Sequence, residues 1–147
     1  MFYELVNAVI RRKVDIACFQ ETKWKGSRTR EGNQYKLWYS GSATAGNGVG
    51  IVLALYLKDK VVKVISISDR IMLVRLVIEE ETVNVISAYA PQVGLEDVVK
   101  KNFWDSLDDL VRECLANQQL IIAGNLNSHI GAEADGYSSV QGFLGTE

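Results

Sequence analysis

The sequence predicts a mixed α/β or α+β fold in which helices cover a largely antiparallel sheet. Three observations support it. The apolar pattern changes period along the chain: helical over residues 2–10, strand-like through most of 14–89, helical over 95–115 and strand-like again at 120–123. Two β-rich runs, 70–78 and 82–89, are joined by Glu79-Glu80-Glu81, which reads as an antiparallel hairpin with a charged tip. Apolar residues make up 48% of the 147 residues and charged residues 23%, which suits a packed core and excludes a disordered, collagen-like or coiled-coil chain. The length suits a single domain.

Taken in order, Phe2, Leu5, Val6, Val9 and Ile10 recur at helical spacing, and Arg11-Arg12-Lys13 follow where cations suit the negative end of a helix dipole. Residues 14–19 read as a buried strand that stops at Gln20-Glu21-Thr22, so Glu21 falls at a strand's carboxyl end. A basic loop over 22–36 leads to strands at 35–39 and 49–57, separated by a glycine-rich turn at 41–48. A further strand follows at 61–67, before the hairpin. Over 95–115, Phe103, Trp104, Leu107, Leu110, Val111, Cys114 and Leu115 share one helix face, with Asp105, Asp108, Asp109 and Arg112 opposite. The last strand, 120–123, ends at Gly124-Asn125-Leu126-Asn127; residues 128–147 are polar and aperiodic, as a loop or a severed continuation would be. Ile71-Met72-Leu73-Val74 is apolar on both parities and wants cover on both faces. One helix layer supplies one cover, so a second sheet or another chain should supply the other. Without it, a sheet built from 49–57, 70–78 and 82–89 would leave an apolar face open to self-association.

Composition narrows the function classes. No apolar run approaches the roughly 20 residues of a membrane-spanning helix, and the N-terminus lacks the pattern of a secretory signal. An intracellular, nuclear or cytoplasmic, non-membrane protein is expected. Cys18 and Cys114 sit among apolar neighbours and read as reduced thiols. Net charge is −2, yet residues 1–75 hold 13 Lys and Arg against 6 Asp and Glu, and residues 76–147 hold 3 against 12. The basic half is densest at Lys23, Lys25, Arg28, Arg30 and Lys36, with Trp24 and Tyr35 interleaved. That mix suits phosphate contacts and base stacking, and equally a solvated surface loop.

Several devices are unsupported. Gly46-Asn47-Gly48-Val49-Gly50 precedes a strand and no Gly-Lys-Ser/Thr follows, so it reads as a turn and not as a nucleotide cradle. His129 is the sole histidine, which argues against structural zinc and a Ser-His-acid triad. Glu21, Tyr89, Asn125 and Asn127 remain at strand ends. A carboxylate, amides and a phenol suit Mg²⁺ with retained waters beside a phosphate. Each also has a plain structural role: Glu21 as a turn cap, Tyr89 as a core residue with a wet hydroxyl, and the asparagines as turn formers.

Four ordered strings, Gln20-Glu21-Thr22-Lys23-Trp24, Gly48-Val49-Gly50-Ile51-Val52, Ser87-Ala88-Tyr89-Ala90-Pro91-Gln92 and Gly124-Asn125-Leu126-Asn127-Ser128-His129-Ile130-Gly131, resemble the endonuclease/exonuclease/phosphatase superfamily. Within it the chain is most similar to craniofacial development protein 2-like sequences and non-LTR retrotransposon endonuclease domains, a likeness strengthened by Lys36-Leu37-Trp38-Tyr39-Ser40-Gly41. The resemblance implies a four-layer α/β sandwich and Mg²⁺- or Mn²⁺-dependent hydrolysis of a phosphate ester, DNA being the substrate of the retroelement members. It assigns Glu21 to the metal, Tyr89 to the scissile phosphate and Asn127 to orienting substrate and water. Lys23, Trp24, Lys25, Arg28 and Arg30 become candidate substrate contacts.

The chain departs from the family pattern in three ways. Asn125 stands where the family carries an aspartate that aligns and deprotonates the water, and an amide cannot take a proton. The family's first strand should precede Met1, and its later acidic motif and distal histidine should lie beyond Glu147. Residues 1–147 are thus expected to form one incomplete domain of this type, impaired or inactive in cleavage. The alternatives are a non-catalytic module that binds nucleic acid or protein, a phosphatase acting on a soluble phosphate ester, and a remnant with no selected function.

Overall fold

The structure is a computed structural model that describes residues 15–22, 28–32, 34–41, 48–91 and 94–126, with the backbone alone described at Glu21, Thr22, Arg28 and Asn125. The helix expected over residues 2–10, the turn at 42–47 and the segment 127–147 lie outside the described residues.

Among the described residues, eight strands and one α-helix follow in the order β1 (Ile16–Thr22), β2 (Arg28–Gly32), β3 (Tyr35–Ser40), β4 (Gly48–Ala54), a 3₁₀ helix (Leu55–Lys60), β5 (Val61–Ser68), β6 (Ile71–Ile78), β7 (Glu81–Tyr89), α1 (Asp97–Glu113) and β8 (Gln119–Asn125). They form two four-stranded sheets, ordered β1-β4-β3-β2 and β5-β6-β7-β8. Every pairing is antiparallel except β7 with β8, which α1 joins as a parallel crossover. The fold is α+β, mainly antiparallel.

The sheets face each other. Cys18, Trp38, Val49, Ile51 and Leu53 of the first pack against Met72, Val74, Leu76, Val83 and Val85 of the second. This corrects the expectation that 49–57, 70–78 and 82–89 share one sheet: β4 belongs to the first sheet and β6 and β7 to the second, so their apolar inner faces cover one another. The open face on which self-association was expected to rest is therefore covered. The other face of the second sheet, with Ile71, Leu73, Ile86 and Ile122, lies against Phe103, Trp104, Leu107 and Leu110 of α1. Leu107 and Leu110 are fully buried and contribute about 1.5–3 kcal/mol each. Phe103 meets Trp104 edge to face, centroids 5.0 Å apart.

Two boundaries differ from expectation. Residues 28–32, expected within a loop, form an edge strand whose backbone pairs with β3, from Arg28 opposite Tyr39 to Gly32 opposite Tyr35. An edge strand needs no apolar face, and charged side chains there block further pairing, so apolar periodicity carries no signal for it. The strand expected over 49–57 ends at Ala54; the six-residue 3₁₀ helix that follows returns Leu57 to the core at 5% exposure, which extends the apolar run past the end of the sheet.

The β6–β7 hairpin closes through Glu79 and Glu80, at φ 50° and 70°. Ile78 pairs with Glu81 across a two-residue loop with both residues left-handed, the arrangement that favours Asn-Gly and costs other residues about 1–2 kcal/mol each. Three consecutive carboxylates add repulsion. Replacing Glu79→Asn together with Glu80→Gly is expected to stabilise the chain by about 1–2 kcal/mol, read as a higher urea midpoint with an unchanged slope. No gain would show that the turn is relaxed as it stands.

Candidate active site at the strand-end rim

Hydrophobic burial brings the sheets together, but polar side chains set their alignment at one end. β1 and β3 run in the same direction in one sheet; β5, β7 and β8 do so in the other. Between the sheets, Gln20 Nε2 donates to Ser87 Oγ at 3.1 Å and Ser87 Oγ donates to the Phe19 carbonyl at 3.1 Å. Nearby, Ser66 Oγ donates to Ser40 Oγ at 2.7 Å, and Ser40 Oγ to the Ser68 carbonyl at 3.0 Å. These bonds align the carboxyl ends of β1, β3, β5 and β7 along one rim, which β8 joins beside β7.

Glu21 lies at this rim. The register of β1 against β4 shifts between Gln20, opposite Val49, and Thr22, opposite Gly48, so Glu21 is the extra residue of a β-bulge. A bulge redirects a strand end without extending the sheet, and bulges gather near functional sites for that reason. Tyr89 is the last residue of β7, and its pairing partner across the parallel ladder is Asn125, the last residue of β8. The backbones of Glu21, Tyr89 and Asn125 thus lie at strand ends on the side of the two sheets that Ser87 ties together. Asn127, Lys23, Trp24 and Lys25 lie outside the described residues.

Arg70, absent from the sequence-based candidates, belongs to the same rim. Its guanidinium stands 5.4 Å over the Tyr89 ring and Nη1 donates to the Tyr89 carbonyl at 3.1 Å. The Tyr89 amide donates back to the Arg70 carbonyl at 2.9 Å, and the Arg70 amide donates to Ser68 Oγ at 3.1 Å. Tyr89 itself is 5% exposed and packs into the inter-sheet core, so its burial follows from packing alone, whereas the cation held against it does not. Arg70 sits in a turn after Ser66-Ile67-Ser68-Asp69, where local sequence offers only turn chemistry. A signal existed for Ser87: a serine two residues before Tyr89, within an otherwise apolar run, is on the same strand face as Tyr89.

Arg28 and Arg30 lie on β2, at the far side of the first sheet. Three strand spacings put β2 about 14 Å from β1. Arg28 begins the strand on the rim side; Arg30, opposite Leu37, is exposed. At the other end of this hairpin Glu31 engages Lys36 at 3.5 Å and Lys58 at 3.3 Å. The Lys58 ammonium, hydrogen-bonded to Glu31, holds that carboxyl below its ordinary range. Lys36 also lies 4.9 Å over the Trp38 ring, so two lysines of the basic half are engaged away from the rim.

Neither cysteine is paired. Burial pushes the Cys18 thiol up to about 12, against a smaller opposing effect from its hydrogen bond with Ser87, so it stays protonated and does not act as a nucleophile. Among the described residues no group of three or more His, Cys, Asp or Glu side chains could hold a metal ion, and no helix is long and apolar enough to cross a membrane.

No protein-family model and no curated protein matches the chain. Among solved structures it is similar to the endonuclease domain of TRAS1, a telomere-specific non-LTR retrotransposon, with a TM-score of 0.59 and 19% identity. The alignment covers 97% of this chain and 64% of that one, so the chain spans less than two thirds of that domain's length. At this identity the likeness establishes a shared fold.

Proposed function

We propose that the rim is the active site of a divalent-metal-dependent phosphodiesterase of the endonuclease/exonuclease/phosphatase superfamily, with DNA as the substrate and cleavage impaired by Asn125. The observation that supports this reading most is that Glu21, Tyr89 and Asn125 all fall at strand ends on one side of a fold shared with an endonuclease domain. The four sequence strings favour a craniofacial development protein 2-like or retroelement origin within that superfamily.

The donor set fits the metal. Glu21 with the Asn125 and Asn127 amides offers oxygen ligands and a single carboxylate, which suits Mg²⁺ or Mn²⁺ keeping most of its waters. The metal, when bound, supplies Lewis-acid stabilisation of charge on the phosphate. The chain's own residues do the rest. Tyr89 offers a phenol to a phosphate oxygen, and Arg70 adds positive charge beside it. Asn127 orients substrate and water, while Asn125 can hold the water by hydrogen bonds but cannot accept its proton. Arg28 and Arg30, with Lys23, Trp24 and Lys25, form the substrate tract. A distance of about 14 Å corresponds to the rise of roughly four base pairs along a DNA duplex axis, at about 3.4 Å each.

Nicking of supercoiled plasmid by the purified chain tests the reading. Weak Mg²⁺-dependent nicking, removed by chelator and by Glu21→Gln, is expected, together with a rise when Asn125 is made acidic. Nicking that persists in both chelator and Glu21→Gln would overturn the metal assignment. The second reading, a nucleic-acid-binding module, is favoured by the charges on β2: it requires salt-dependent DNA retention that is indifferent to Mg²⁺ and lost when Lys23, Lys25, Arg28 and Arg30 are neutralised.

A further inference from the structure

We infer that Ser87 is the positioning residue of this site: its hydroxyl clamps the end of β1 to β7 and so sets Glu21 relative to Tyr89. The inference rests on the metal-site reading above for its functional consequence, but not for the clamp.

Ser87 is fully buried and flanked by apolar residues, a place where a hydroxyl stabilises nothing unless it is bonded. Both of its strong bonds go to β1: it accepts from Gln20 Nε2 and donates to the Phe19 carbonyl. Ser87 therefore holds two consecutive residues, Phe19 and Gln20, immediately before the bulge. The β1–β4 ladder shifts register by one residue at that point, so Glu21 has no pairing partner of its own in it. On its own strand Ser87 lies two residues before Tyr89 on the same face, and its pairing partner Ala123 lies two residues before Asn125. One hydroxyl thus ties the strand carrying the carboxylate to the two strands carrying the phenol and the amide. Groups that orient metal ligands from behind are commonly worth about 10–100-fold in metal affinity.

Three variants separate positioning from bulk stability. Ser87→Ala removes the clamp, Ser87→Thr keeps the hydroxyl, and Gln20→Met removes the part-exposed donor at nearly constant volume. Val85→Ala truncates a fully buried residue on the same face of β7 that makes no such bond, and serves as the control for destabilisation. The first readout is amide hydrogen exchange at residues 20–22, which needs no metal. Ser87→Ala and Gln20→Met are expected to speed exchange there relative to the rest of β1, while Ser87→Thr and Val85→Ala leave that local pattern unchanged. The second is Mn²⁺ binding by calorimetry: Ser87→Ala is expected to weaken it about 10–100-fold, with Ser87→Thr near the parent value. Unchanged exchange at 20–22 in Ser87→Ala, or an equal change in Val85→Ala, overturns the clamp. Selectively faster exchange in Ser87→Ala, with a parent chain that binds no Mn²⁺, supports the clamp and overturns the metal reading instead.

Discussion

Asn125→Asp is expected to raise the rate of Mg²⁺-dependent plasmid nicking by about 10²–10⁴-fold, the usual worth of a positioned general base. The substitution exchanges an NH₂ for an oxygen of similar size at the end of β8, so the backbone pairing with Tyr89 is retained. Two effects then act in the same direction. The carboxylate accepts the proton of the attacking water, which the amide cannot do. It also gives the donor set a second negative charge, which tightens a hard divalent cation. In the proposed site a second carboxylate adds like-charge repulsion when no metal is bound. Bound metal should reverse this, so the gain is expected to grow with Mg²⁺ concentration. Initial rates across a Mg²⁺ series measure it, with the double variant Glu21→Gln plus Asn125→Asp as the loss control. No acceleration at saturating Mg²⁺ would remove Asn125 from the reacting group.

Gly124→Ala is expected to lower stability by about 3 kcal/mol or more, the upper end of what overpacking costs. A Cβ at Gly124 would overlap the Ala88 carbonyl oxygen and stand 2.9 Å from the Ala88 carbonyl carbon. These are backbone atoms of the neighbouring strand, so no rotamer change relieves the clash, and β7 and β8 must separate at the pair next to Tyr89 and Asn125. Gly50 is the contrast. A Cβ there meets the flexible Leu37 Cδ1 at 3.3 Å and the Trp38 carbonyl at 3.3 Å, so Gly50→Ala is expected to be the milder change. Against a total stability of about 5–15 kcal/mol, the Gly124 loss would lower the melting temperature by roughly 10 °C. Thermal unfolding followed by circular dichroism measures both variants, and equal melting temperatures would contradict the close approach of the strands at Gly124.

The glycine before Asn125 therefore has a local structural reason that is separate from catalysis. In sequence, Gly124-Asn125-Leu126-Asn127 reads as one string. In the fold it divides into a residue that lets two strands meet and a residue placed at the rim where they end.

Strands β3 to β8 and α1 were legible along the chain because each has its own apolar period and its own boundaries, such as the glutamates of the β6–β7 turn and the face of Phe103, Trp104, Leu107 and Leu110. Glu21 and Tyr89 could be placed at strand ends for the same reason. β2 was not legible, since a charged edge strand is held by backbone pairing and carries no apolar pattern. Nor was the assignment of strands to the two facing sheets: apolar residues on both parities of β6 require cover on both sides without naming the strand that gives it, and β4 supplies it from a distant part of the chain. The hydrogen bonds from Ser87 to Gln20 and Phe19 span 67 and 68 positions, and the cation at Tyr89 comes from a turn 19 residues earlier. Periodicity reports the surroundings of a residue within a few positions of itself. That the strand ends carrying Glu21 and Tyr89 fall on one side of the molecule depends on how two sheets stack, which is a property of the packed chain and not of any local stretch.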